Sequence, residues 1–153
     1  QFYPDANGTL RVAYGKAQGY KGMNGEEYNY YADMKGLIDK NATGAEDFFV
    51  MSRLVELYNK KDFGEYADKN GKLHTAFIAS NHTTGGNSGS PVLNANGELI
   101  GTNFDRNQEG TMSDVMYNVN FCRNIVLDIH YTLWVMDKYS GAGYLLKEME
   151  IRR

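Results

Sequence analysis

Thr84-Gly85-Gly86-Asn87-Ser88-Gly89-Ser90-Pro91-Val92, followed by Asn96-Gly97 and the run Glu98 to Phe104, decides how this chain is read. The glycine-rich part breaks every periodic pattern around it. Before it, Leu73 to Ser80 reads as a strand with the apolar run Ala76-Phe77-Ile78-Ala79. After it, Val92-Leu93 and Glu98 to Phe104 flank an Asn-Gly pair, the strongest short hairpin signal. A loop of small polar residues between strands suits a serine nucleophile. The hydroxyl must project from a tight turn, backbone N–H groups must face the developing oxyanion, and small neighbours must admit a substrate backbone. Glycines on both sides of Ser88 accept positive φ and block nothing. Ser88 is therefore the candidate catalytic residue, with the N–H groups of Gly86 and Ser88 as its oxyanion hole.

The hairpin adds a geometric expectation. If Asn96 and Gly97 are the two central turn residues, Ala95 pairs with Glu98. Counting outward, Ser88 falls opposite Asp105 and Asn87 opposite Arg106. A two-residue slip brings Asn103 opposite Ser88 instead. Either register runs Asn103-Phe104-Asp105-Arg106 beside the nucleophile. Alternation would put Asp105 and Arg106 on opposite faces unless the strand ends there, and Asn107 to Gly110 reads as a turn.

Further out, Thr9-Leu10-Arg11-Val12-Ala13-Tyr14 alternates as a half-buried strand. Gln1 to Gly8 is an irregular start, and residues 15 to 26, with four glycines, are a loop. Tyr28, Tyr30 and Tyr31 form a short aromatic strand. Asp33 to Lys40 is a short helix. Glu46 to Lys61 is a longer one, with Phe48, Phe49, Met51, Leu54, Val55, Leu57 and Tyr58 at helical spacing. Lys69 to Lys72 is a turn and Ile125 to Ile129 a strand. Tyr131 to Tyr139 and Tyr144 to Met149 are helical, separated by Gly141-Ala142-Gly143. No linker or repeat interrupts the chain, so 1–153 reads as a single unit.

Composition narrows the classes. Of 153 residues, 42% are apolar and 23% charged, which excludes a disordered tail, a collagen-like rod and a coiled coil. No run approaches roughly 18 apolar residues, so no membrane insertion is expected. No basic-then-apolar segment opens the chain, so it is read as carrying no signal peptide of its own. Lys and Arg number 16 against 19 Asp and Glu without a basic cluster, which speaks against nucleic acid. Cys122 is the only cysteine, so neither an intrachain disulfide nor a Cys-based zinc site can form. Neither a metal nor an organic cofactor is suggested.

The run Thr84 to Val92 is similar to the nucleophile loop of two-barrel serine peptidases of the chymotrypsin type, and the longer stretch Thr84 to Arg106 carries a closer resemblance. Together with Cys122 to Glu148 (Asp137-Lys138-Tyr139 and Gly141-Ala142-Gly143-Tyr144-Leu145-Leu146) and the opening Tyr3-Pro4-Asp5-Ala6-Asn7 through Tyr14-Gly15-Lys16, it resembles the C-terminal part of the S46 dipeptidyl peptidases. The resemblance covers nearly the whole chain. It implies a mainly β fold with several helices (α+β), the C-terminal part of a chymotrypsin-like double β-barrel, incomplete without an N-terminal portion. Members of that family are much longer, carry a helical domain over the cleft, and release dipeptides from free N-termini.

The resemblance also implies roles. Ser88 matches the nucleophile of Gly-Asn-Ser-Gly-Ser-Pro, and Gly86 the partner N–H of the oxyanion hole. Arg106 matches the position that tunes the S1 pocket: Gly there goes with apolar P1 side chains, Arg with Asp or Glu. Asp105 matches an acidic position near the substrate's free ammonium, and Asn103 is counted with these substrate-binding residues. The chemistry is consistent, because an arginine fork pairs bidentately with a carboxylate at about 1.5–3 kcal/mol per bond. Location in the periplasm or at the surface of a Gram-negative bacterium is likewise implied by resemblance alone.

A serine needs a base, and only His74, His82 and His130 are present. His82 is the nearest in sequence. In the chymotrypsin-type order, however, His and Asp precede the serine by a long stretch. His82 is therefore read as a loop or strand-end residue, and the chain as lacking the catalytic His and Asp and inactive alone. A cut barrel exposes apolar surface and strand edges, so a homodimer or other self-association of the chain is expected. Two other readings stay open. One is a non-catalytic peptide- or partner-binding β-domain. The other is a trypsin-like or viral endopeptidase, which N-terminally blocked substrates would distinguish.

Overall fold

The computed structural model describes Gly8 and residues 10–152. The irregular start before Gly8, the Tyr3 to Asn7 part of the resemblance and Thr9 of the first expected strand lie outside the described residues. The strands are β1 (Tyr20–Lys21), β2 (Glu27–Tyr28), β3 (Tyr31–Asp33), β4 (His74–Ala79), β5 (Pro91–Leu93), β6 (Leu99–Arg106) and β7 (Asn124–Asp128). The α-helices are α1 (Met34–Asn41), α2 (Ser52–Asn59) and α3 (Ile129–Trp134). β1 and β2 form a two-stranded sheet, and a five-stranded sheet runs in the order β3-β4-β7-β6-β5. This is a mixed α and β architecture, the class expected from the sequence. Two compact units emerge: the chain up to Tyr31 with Ala76–Asp128, and Ala32–Thr75 with the chain from Ile129 onward.

The first unit carries the Ser88 loop. β7 pairs antiparallel with β4 on one side and β6 on the other, and Val126 at its middle is fully buried. Gly101 lets β6 come close: a Cβ there would meet the Leu127 carbonyl oxygen and stand 2.6 Å from Val126 Cγ1. An arm from Lys16 to Gly19 lies along the end of β4, with Ser80 N–H donating to Lys16 O (3.0 Å) and Gln18 N–H to Ile78 O (3.2 Å). Arg123, 3% exposed, pins that arm by donating to the carbonyls of Gln18 (3.2 Å) and Gly19 (3.1 Å).

The strand expected over Thr9 to Tyr14 does not form in the described residues 10–14. Leu10, Val12 and Tyr14 are 91%, 74% and 88% exposed. Alternation in a sequence records a face suited to burial; it does not supply the neighbouring strand that completes the ladder.

In the second unit Met34, Phe63, Tyr66, Leu73 and Trp134 form the core, with Ile38, Leu54 and Leu57 packed against it. Asp33 caps α1 by accepting from Gly36 N–H at 3.3 Å. Trp134 donates its indole N–H to Asp62 O at 2.8 Å. The helix expected over Glu46 to Lys61 is split. A 3-10 turn (Glu46–Phe48) is followed by extended residues, and α2 starts at Ser52. The link is held by Asn41, whose Oδ1 accepts from Val50 N–H at 2.8 Å. Phe49 and Met51, which completed the helical spacing, are exposed instead. The Tyr131 to Tyr139 helix is α3 continued by one π turn (Val135–Tyr139), and Tyr144 to Met149 is a 3-10 stretch (Gly143–Glu148).

Candidate active site

The hairpin that carries the site forms, but its turn is not the two-residue one. Gly97 N–H donates to Asn94 O (3.0 Å) and Asn94 N–H to Glu98 O (2.9 Å), so Ala95 and Asn96 are the central pair. Gly97, at φ 80°, follows as the left-handed bulge residue. Asn94 Oδ1 accepts from Asn96 N–H (2.9 Å) and Glu98 N–H (3.0 Å), which fixes this longer turn. Leu93 then pairs with Leu99, and a bulge shifts the ladder so that Val92 faces Gly101 and Pro91 faces Thr102. The bulge cancels the turn's offset, so this pairing is the one counted from Asn96-Gly97.

Beyond Pro91 the loop lifts off the ladder. Asn103 N–H donates to Ser90 O (2.9 Å) and Gly89 N–H to Asn103 O (2.8 Å). Ser88 is exposed, and its Oγ donates to Phe104 O at 3.4 Å. Of the Asn103 to Arg106 stretch, Asn103 and Phe104 are the residues bonded to the loop around Ser88. Within the loop, Asn87 folds the chain back: its N–H donates to Thr84 O (3.2 Å) and its Oδ1 accepts from Thr84 N–H (2.9 Å). Gly86 (φ 100°) and Gly89 (φ 85°) take left-handed backbone on either side of Ser88. The N–H groups of Gly86 and Ser88 bond to no acceptor among the described residues.

Asn103 is 5% exposed. Its Nδ2 donates to Asn87 O (3.2 Å) and its Oδ1 accepts from Asn124 Nδ2 (2.9 Å). It props the loop from beneath. A second bulge follows: Asn103 pairs with Val126 but Asp105 with Ile125, leaving Phe104 as the extra residue. This bulge re-aims the side chains after it. Asp105 is exposed, with Oδ1 accepting from Arg106 N–H at 2.8 Å.

Arg106 is held by partners the sequence did not point to. Its Nη1 and Nη2 donate to the two carboxylate oxygens of Asp114, each at 2.6 Å. Nη1 also donates to Ser113 Oγ at 3.1 Å. Hydrogen bonding from Arg106 holds the Asp114 carboxyl below the usual aspartate range, and the same pairing raises the guanidinium's affinity for its proton. Asp114 ends a 3-10 stretch (Gln108–Asp114) that folds back under β6 because Asn107 is tied to the Phe121 carbonyl and the Arg123 N–H. Nothing in residues 107–114 advertises that return.

His82 places its Nε2 2.9 Å from Ser113 O and packs its ring on Tyr117, centroids 4.8 Å apart. It is engaged away from the Ser88 hydroxyl. His74 stands 3.3 Å from Asp68, and His130 is exposed in α3. Among the described residues no group of three or more His, Cys, Asp or Glu is placed to hold a metal ion.

The chain is a member of the Peptidase S46 family, whose model matches residues 1–151. It is 52% identical over 151 residues to the Asp/Glu-specific dipeptidyl-peptidase of Capnocytophaga gingivalis, covering 99% of this chain and 21% of that protein. It is 45% identical to dipeptidyl-peptidase 7 of the same organism, covering 97% of this chain and 21% of that protein. The crystal structure of Porphyromonas endodontalis DPP11 in complex with the dipeptide Arg-Asp superposes with a TM-score of 0.90 at 42% identity, over 94% of this chain and 21% of that one. The chain thus spans about a fifth of the length of the relatives it matches.

Proposed function

We propose that Ser88 is the nucleophile of a serine-type dipeptidyl peptidase that releases dipeptides from free N-termini with Asp or Glu at P1. One observation carries the reading. An exposed serine stands between two left-handed glycines, the N–H groups of Gly86 and Ser88 bond to no acceptor among the described residues, and β6, which ends in Asp105 and Arg106, meets the serine at Phe104. The Asp/Glu specificity of the Capnocytophaga gingivalis relative, and the dipeptide bound to the Porphyromonas endodontalis one, support it.

In this reading Ser88 Oγ attacks the scissile carbonyl while the Gly86 and Ser88 N–H groups hold the oxyanion. Arg106 donates two N–H bonds to the P1 carboxylate. Asp105, with one carboxylate oxygen beyond its bond to Arg106 N–H, holds the substrate's ammonium and so fixes the cut two residues in. Asn103 keeps the loop at the right height. No described histidine bonds Ser88, so its proton goes to a base outside these residues. The chain would then be the nucleophile-bearing C-terminal portion of a chymotrypsin-like double β-barrel, inactive alone. Self-association through its exposed apolar strand faces, and location in the periplasm or at the cell surface, belong to the same proposal.

The test uses the full-length protein and kcat/KM on dipeptidyl substrates with acidic and apolar P1 residues. Ser88→Ala should abolish turnover of all of them. Arg106→Gly should reverse the preference. Activity surviving Ser88→Ala would remove the nucleophile assignment, and full cleavage of N-terminally blocked peptides would remove the exopeptidase reading.

A further inference from the structure

We propose that Asp114 and Ser113 form a clamp that turns Arg106 into a receptor for one further carboxylate, and that Asp114 is thereby a positioning residue for acidic P1 side chains. The proposal rests on the assignment of Arg106 to the S1 pocket. Guanidinium chemistry carries it. Arginine has five N–H donors in a fixed plane. Both Nη1 hydrogens are engaged, one by Asp114 and one by Ser113, and one Nη2 hydrogen goes to Asp114. The Nε–H and the second Nη2–H remain, and neither has an acceptor among the described residues. These two lie parallel on one edge of the plane, at the spacing of a carboxylate's two oxygens. The clamp removes the alternatives and leaves one fork.

The surroundings keep it there. Ser113 is 4% exposed, and its carbonyl lies 2.9 Å from His82 Nε2. Arg106 and Ser113 also line, with Asn81, Thr83, Tyr117 and Cys122, a space too small for a water molecule. Charge alone does not explain the arrangement, because Arg106 and Asp114 together are neutral. An acidic P1 side chain is selected by hydrogen-bond geometry. Asp114 would also repel that side chain, but it is half-exposed, with 48% of its side chain accessible against 25% for Arg106. Solvent screens the repulsion; it does not screen orientation.

The experiment is a set of kcat and KM measurements on the full-length protein with P1 Asp, Glu and Leu dipeptidyl substrates. Arg106→Gly, Asp114→Asn, Asp114→Ala and Asp114→Glu are compared with the parent. The acidic-over-apolar ratio should fall about tenfold in Asp114→Asn and Asp114→Ala, carried by KM. Asp114→Glu, which keeps the carboxylate, should return most of the loss. A general folding defect lowers all substrates together and leaves the ratio in place, which overturns the clamp. So does a ratio that rises, because Asp114 would then be competing with the substrate. If Arg106→Gly collapses the ratio while the Asp114 variants leave it unmoved, the clamp is wrong and the S1 assignment stands. If Arg106→Gly itself leaves the ratio unmoved, the S1 assignment falls and the clamp with it.

Discussion

The side-chain amide of Asn103 is bonded at both ends: Nδ2 donates to Asn87 O at 3.2 Å, one residue before Ser88, and Oδ1 accepts from Asn124 Nδ2 at 2.9 Å. A buried amide with neither end free cannot rotate without stranding a partner. The height of the Ser88 loop is therefore set from β6 and β7, the two best-anchored strands of the first unit.

This gives a prediction about kcat. On the proposed assignment of Ser88 and Arg106, Asn103→Ala in the full-length protein should lower kcat by about 10- to 100-fold with KM changed less, because Ser88 is displaced while the Arg106 contacts persist. Asn103→Asp should be no better, since a carboxylate oxygen would then face the Asn87 carbonyl. Steady-state kinetics on an acidic P1 substrate decides it; a kcat within twofold of the parent would show that the loop holds its own shape.

Gly101 tests how closely β6 and β7 must pack. An added methyl would meet backbone at the Leu127 carbonyl as well as a Val126 methyl, and backbone cannot swing away. Gly101→Ala should cost about 1–3 kcal/mol of stability, read as a lower urea midpoint at unchanged slope. A neutral result would mean that the strands separate without penalty.

The hairpin, the Ser88 loop and the strand beside it were legible because each carries local signals: glycine at left-handed positions, an Asn-Gly turn and an apolar flank. The pairing of Val92 and Pro91 came out as counted even though the turn was placed one residue off, since the bulge beyond Leu93 restored the offset. The bulge at Phe104 left no such trace. Asn103, Phe104 and Asp105 read as an ordinary alternating strand, and only the pairing with β7 reveals the extra residue. Asp114 was hidden for another reason: its approach to Arg106 depends on Asn107 and Arg123 tying down the intervening coil. Phe49 and Met51 misled because helical spacing on seven residues cannot report that Asn41 claims the Val50 N–H.

Acid should weaken the second unit in a defined way. Asp68 Oδ1 accepts from Lys72 N–H (2.9 Å) and Asn70 N–H (2.8 Å), closing the turn before β4. Those backbone donors, Lys72 first, hold its carboxyl below the ordinary aspartate value. A folded-state pKa below the unfolded one stabilises the protein above the unfolded pKa, and that stabilisation is lost as pH falls through the folded value. Parent and Asp68→Ala should differ in Tm at about pH 6, and the gap should narrow as pH falls below the ordinary aspartate value of about 4. A gap that stays constant with pH would mean that the carboxylate's charge plays no part.

Arg123 offers the strongest stability test. It is 3% exposed, and its guanidinium donates to four main-chain carbonyls, those of Gln18, Gly19, Val119 and Cys122. Its plane lies 5.3 Å from the Tyr20 ring centroid. Among the described residues no carboxylate balances its charge. The buried cation is satisfied by these neutral oxygens. Removing it leaves those carbonyls without a donor, so Arg123→Met should lose about 3 kcal/mol or more. Arg123→Lys keeps the charge but not the planar fork, and should lose about 2 kcal/mol. Hydrogen exchange at Gln18 and Ser80 should rise in both variants, because the arm along β4 loses the side chain that pins it. An Arg123→Met protein with the parent's stability and exchange rates would show that the arm is held by its own bonds to β4 and that the buried charge is tolerated without stabilising the fold.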